Sequence, residues 1–181
     1  HRPEFFRDRV LGVALISTSA GGLGAVDLGL RGLGRLVQRV APGAVQALAR
    51  NTPGLVEKGR RLGSDLETVI VRRWSFDSKV PDELVQFSAS MIAATRLEVI
   101  SEFLPTFSQH DKREALAAMR DLETLVLVGD GDLLTPPDHS EEIVRLLPGA
   151  EHVVVNNAGH LVMLEHPQVV AQEIIVEHQH P

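Results

Sequence analysis

The sequence predicts an α/β protein organised around a parallel sheet, and three observations lead there. Two short apolar runs, LVLV at residues 125–128 and HVVV at 152–155, have the length and β-branched content of buried strands. Between them lies a helix-period segment framed by Thr135-Pro136-Pro137-Asp138 at its start and Pro148-Gly149 at its end. A third apolar run, VLGVALI at 10–16, is followed by about a hundred residues of helical pattern before the next strand begins. Two strands joined through a helix in one sheet run parallel, so the loops that follow them emerge at the same edge.

The elements follow in chain order. Residues 10–16 form the first strand, and the serine- and glycine-containing STSAGG at 17–22 has the chemistry of a turn, with Ser17 and Ser19 as turn residues. From about Gly21 to Arg120 the period becomes helical. Leu28, Leu33, Leu36, Val37 and Val40 share one side of a first helix that Gly29, Gly32 and Gly34 weaken, and apolar-rich helices continue through TVIVRRW and DELVQFSASMIAATRLEVISEFL. An insertion of that length between two parallel strands exceeds a single crossover helix.

The strand at 125–128 stops at Gly129, and Asp130 and Asp132 follow in a glycine-flanked loop. Thr135 is expected to cap the next helix, with Pro136 in its first position and Ile143, Val144, Leu146 and Leu147 on its apolar side. After the strand at 152–155, Asn156 to Gly159 supplies turn residues before His160. A final helix over 167–176 offers Val169, Val170, Ile174 and Ile175 to the sheet. Neighbouring strands lie about 4.8 Å apart, so a carboxylate after one and an imidazole after the next are placed to meet. A histidine acting as a base needs such a carboxylate to fix its tautomer and to stabilise its imidazolium.

Here the residues resemble the α/β-hydrolase family. Gly129 to Asp132, Thr135-Pro136, and Ala158-Gly159-His160 followed by Glu165 and Pro167 are similar to that fold's acid loop and histidine loop. The resemblance implies Asp132 as triad acid, in preference to Asp130, with His160 as triad base and Glu165 as a structural hydrogen-bonding residue. It also implies three parts: a core strand segment at 1–20, a helical cap and return helix at 21–120, and core strands and helices with both loops at 121–181. The fold class is thus α/β, the C-terminal part of an α/β-hydrolase parallel sheet with a helical cap insertion. The family orders its triad as nucleophile, acid, histidine, with the nucleophile in a G-x-S-x-G turn. This sequence has no such turn. The resemblance therefore implies that the nucleophile and oxyanion hole lie in an N-terminal half outside these residues, and that the chain alone is nearly inactive.

The implied function is serine-dependent hydrolysis of carboxylic esters. Haloperoxidase-like, carbon-carbon bond and epoxide hydrolases are the alternatives within enzymes, and a catalytically incompetent fragment or interaction module is the alternative outside them. Epoxide hydrolases of this fold resemble one another in using cap tyrosines as proton donors, and this chain has no tyrosine. Trp74, Phe87, Met91, Phe103 and Phe107 are candidates for an apolar pocket wall suited to a small apolar ester-like substrate.

Composition bounds the rest. A chain of 181 residues with 44% hydrophobic content is long enough to bury a sizeable core. A net charge of −6 provides no footprint for nucleic acid. The absence of cysteine excludes disulfides and thiol catalysis, and the expected compartment is the cytoplasm. No window is apolar enough for a transmembrane segment. No cofactor or metal is expected, because His110, His139, His152, His166, His178 and His180 form no zinc-ligand spacing. His139 is expected on an exposed helix face. The expected partners are the missing N-terminal half or another copy of the chain, since the first strand would otherwise leave one edge unpaired.

Overall fold

A computed structural model of the chain describes residues 9–23, 43, 47 and 64–177. The helix predicted from Leu28 to Val40 lies outside the described residues. Among those described, three strands form one parallel sheet in the order β1-β2-β3: β1 Gly12–Ile16, β2 Glu123–Gly129 and β3 Glu151–Val155. The register sets Ile16 beside Leu127 and Gly129 beside Val155, so all three strands end at one edge.

The central strand is buried on both faces, as its unbroken apolar run requires. Leu125 and Leu127 pack with Val155, Ala158, Val162 and Val170 on one side. Val126, on the other, packs with Ala20, Leu116, Ile143 and Leu147. Helix α4 Pro137–Leu146, the crossover from β2 to β3, supplies Ile143 to this second face. The short helix α5 Val162–Glu165 and helix α6 Pro167–Glu177 cover the first. Of the four residues expected to pack from α6, Val170 is buried, whereas Val169, Ile174 and Ile175 are exposed. The helix carries apolar residues around much of its circumference, and only the stripe through Val170 faces the sheet.

Between β1 and β2 stand α1 Ser64–Ser75, α2 Asp82–Ala93 and α3 Leu97–Gln109, then a 3-10 segment, Glu114–Met119. Val71, Phe76, Val85 and Ala89 form a small separate core, against which Leu161 and Leu164 pack from beyond the histidine loop. The insertion is pinned at its base. Gly21 and Asp111 form an antiparallel bridge, and the Lys112 N–H donates to the Ala20 carbonyl at 2.6 Å. No helix among the described residues is long and apolar enough to cross a membrane.

The expected helix cap is corrected in one detail. Pro136 occupies the cap position of α4, Pro137 is the first helical residue, and no side chain caps the helix. The Thr135 hydroxyl is engaged elsewhere.

Candidate active site

The loops after β2 and β3 are bonded to each other before any side chain is considered. The Asp130 N–H donates to the Val155 carbonyl at 3.0 Å, and the Gly131 N–H to the Ala158 carbonyl at 2.9 Å. Gly129 permits this approach, since a Cβ there would stand 2.2 Å from the Ala158 oxygen. Asp130 adds a side-chain tie, its Oδ1 accepting from the Ala158 N–H at 3.3 Å.

Asp132 and His160 meet on this platform. His160 Nδ1 lies 2.9 Å from Asp132 Oδ2 and 3.2 Å from Oδ1. A carboxylate only accepts, so Nδ1–H donates and the lone pair resides on Nε2. The Asp132 side chain is completely buried, while that of His160 is 26% exposed. Burial of a carboxylate requires donors, and Asp132 has them. Oδ1 accepts from the Leu134 and Thr135 N–H groups at 2.9 Å each. Oδ2 accepts from the Thr135 hydroxyl at 2.9 Å, which also lies 3.3 Å from His160 Nδ1. The threonine therefore braces the acid rather than the helix.

A strap crosses above both loops: residues 75–80, between α1 and α2. Gly131 abuts the Asp77 side chain, and Gly159 abuts the backbone of Phe76 and Asp77. The Leu161 N–H donates to the Ser75 carbonyl at 2.8 Å. Glu165 accepts from the Asp77 N–H at 3.1 Å, the Ser78 N–H at 2.7 Å, the Ser78 hydroxyl, and the Gly159 N–H. It is a hydrogen-bonding hub between the strap and the loop that carries His160.

Several other sequence candidates lie elsewhere. His139 is buried, against expectation, with Nδ1 2.6 Å from the Ser19 hydroxyl. Ser19 turns the chain after β1, accepting from the Gly21 N–H at 3.0 Å. Ser17 adopts a left-handed φ of 44°, and its buried hydroxyl finds no partner. Phe87, Met91, Phe103 and Phe107 are exposed on the helices of the insertion. They do not line the described cavity of about 230 Å³, which Met119, Leu122, Thr124, Leu147 and Ala150 bound near the start of β2 and β3. That cavity is at the end of the sheet opposite Asp132 and His160. Among the described residues no group of histidine and acidic side chains is arranged to hold a metal ion.

Sequence reasoning did not single out the strap. Its signal was indirect: glycines at 131 and 159, both in loops, each requiring room for a close neighbour.

Comparison with known proteins adds a frame to this geometry. A family model described as alpha/beta hydrolase fold matches residues 4–167. No curated protein sequence matches significantly. Among solved structures, a thermophilic esterase from Thermogutta terrifontis is 24% identical, with a TM-score of 0.64 over 94% of this chain and 56% of that one. An enol-lactonase from Burkholderia xenovorans LB400 is 18% identical, with a TM-score of 0.66 over 99% and 60% of the two chains. A bromoperoxidase from Bacillus anthracis is 12% identical, with a TM-score of 0.58 over 70% and 49%. At these identities the likeness is one of fold. The chain spans between 49% and 60% of the length of these three structures.

Proposed function

This chain belongs to the alpha/beta hydrolase fold family, and from that membership we propose that Asp132 and His160 are the acid and base of a serine-dependent hydrolase acting on carboxylic esters. The observation that carries the proposal is the Nδ1 to Oδ2 hydrogen bond of 2.9 Å at the edge where the parallel strands end. It leaves His160 Nε2 as the basic atom on a side chain that is partly open to solvent.

In this reaction a serine hydroxyl supplied by residues outside these 181 attacks the ester carbonyl while His160 Nε2 takes its proton. Asp132 holds the imidazole in the Nδ1–H tautomer and stabilises the imidazolium. The same proton then passes to the leaving alcohol, and water repeats the sequence on the acyl-enzyme. No tyrosine donor is required, because His160 protonates the leaving group. Esterase and enol-lactonase, the names borne by two matched structures, both denote cleavage of an ester bond. In this scheme the helical insertion serves as a cap. The 181-residue chain by itself is nearly inactive, since it holds no G-x-S-x-G nucleophile turn.

The test is fluorophosphonate labelling together with turnover of a short-chain aryl ester by the protein that carries this chain. Labelling of a serine and a fall of about 10⁴-fold in kcat on Asp132→Asn are expected. His160→Ala should be at least as severe, whereas Asp130→Asn should have little effect. Full turnover in His160→Ala would overturn the assignment. Absence of both labelling and turnover would instead favour a non-catalytic interaction module.

A further inference from the structure

The residues on both sides of His160 are tied to the strap that joins α1 to α2. Leu161, just after it, donates its N–H to the Ser75 carbonyl. Gly159, just before it, donates to Glu165 Oε1, and Glu165 Oε2 accepts from Asp77 and Ser78. One carboxylate thus spans two segments of chain that share no sheet hydrogen bond. Ala158 and Gly159 are buried, so the Gly159 N–H has no water to turn to if Glu165 withdraws.

We infer that Glu165 is a positioning residue which, through Gly159, makes the placement of His160 conditional on the placement of the Ser75–Ser78 strap. This rests on the proposed role of His160 for its functional meaning, though not for its geometry. The strap continues into α2, whose Val85 and Ala89 belong to the core of the insertion. Leu161, just before the short helix after His160, and Leu164, within it, pack against that same core. A displacement of α1 and α2 therefore pulls on the histidine loop at three points: the Ser75 carbonyl, the Glu165 carboxylate and the Leu161–Leu164 contact. The Asp132 carboxylate has no hydrogen bond to the strap: it is held by its own loop through Leu134 and Thr135, and its neighbour Gly131 meets the strap only by abutting the Asp77 side chain. Movement of the insertion consequently acts through hydrogen bonds on the base and not on the acid, lengthening or restoring the bond between Nδ1 and the carboxylate. An occupant that presses the insertion inward would set the base, and release of the product would relax it.

Amide hydrogen exchange on the 181-residue chain tests the coupling without requiring turnover. In Glu165→Gln the amides of Gly159, Asp77 and Ser78 should lose protection together, by a common factor, while Val126 and Val128 in β2 retain theirs. The Nδ1–H resonance that His160 shares with Asp132 should shift or broaden in the same variant, which a packing role alone would not produce. Ser78→Ala, which removes a single hydroxyl, should give a smaller change of the same pattern and serves if Glu165→Gln is poorly folded. In the complete enzyme, kcat for Glu165→Gln should fall about 100-fold with little change in KM, as expected of a misplaced base. Loss of protection at Asp77 and Ser78 with Gly159 and the His160 resonance unchanged would overturn the inference. Should His160→Ala prove active, the functional assignment fails, and the exchange result still decides the coupling.

Discussion

Thr135 shows how much of this site depends on a single hydroxyl. It sits where a helix cap is expected, yet its Oγ1 donates to Asp132 Oδ2 and its own N–H to Oδ1. Thr135→Val keeps the shape and removes the hydroxyl, leaving the buried carboxylate one donor short. We expect a loss of about 1–2 kcal/mol in urea unfolding, with Thr135→Ser recovering most of it. The meeting of Asp132 and His160 was legible in the sequence because each follows a strand and the strands are adjacent. The brace was not, since a hydroxyl before proline reads as a cap and the competing acceptor is visible only after the loop has folded. His139 was misjudged for a similar reason. Its position on the first turn of α4 suggests exposure, but the partner that buries it, Ser19, is 120 positions away.

Strands were read more securely than the joints between elements. The runs at 125–128 and 152–155 fall within β2 and β3, since central parallel strands leave an unbroken apolar signature. Less visible was the seam between the two loops, where Gly129 lies against the Ala158 carbonyl. Gly129→Ala should separate the loops and cost about 1–3 kcal/mol or more, because the obstructing atoms are backbone. A thermal melt checks this, with Gly149→Ala as control, as a Cβ at Gly149 meets nothing within 4 Å.

A second joint ties the segment after α3 to α4. Arg113 reaches Glu142 at 2.8 Å and Asp111 at 2.6 Å. The hydrogen bond from Arg113 holds the Glu142 carboxyl below its ordinary value of 4.5. A carboxylate whose folded value is depressed adds stability above its unfolded value and loses it as pH falls through the lowered one. Glu142→Gln should therefore be less stable than the parent at pH 7, and the difference should vanish as pH drops below 4.5 toward that lowered value. Chemical denaturation at several pH values gives the slope.

The assembled molecule presents a sheet whose first strand is hydrogen-bonded on one side only among the described residues. Leu11, just before β1, is 85% exposed. An open parallel edge beside apolar surface invites a neighbour. We expect the 181-residue chain to associate with rising concentration in light-scattering measurements, and Leu11→Lys to reduce that tendency. A sequence shows which strands are apolar, but whether an edge is covered depends on what else is present. The base of the helical insertion has a different bearing. Ala20 and Lys112, nearly a hundred positions apart, are bonded directly, so whatever leaves the core there returns to the same spot. Lengthening a segment already closed at its ends adds only about 0.6 kcal/mol per doubling. The joint behaves like a socket: evolution or an engineer can exchange the helices fitted into it for others while the sheet and the Asp132–His160 pair beneath keep their shape. The strap limits that freedom, since any replacement must still offer two amides to Glu165.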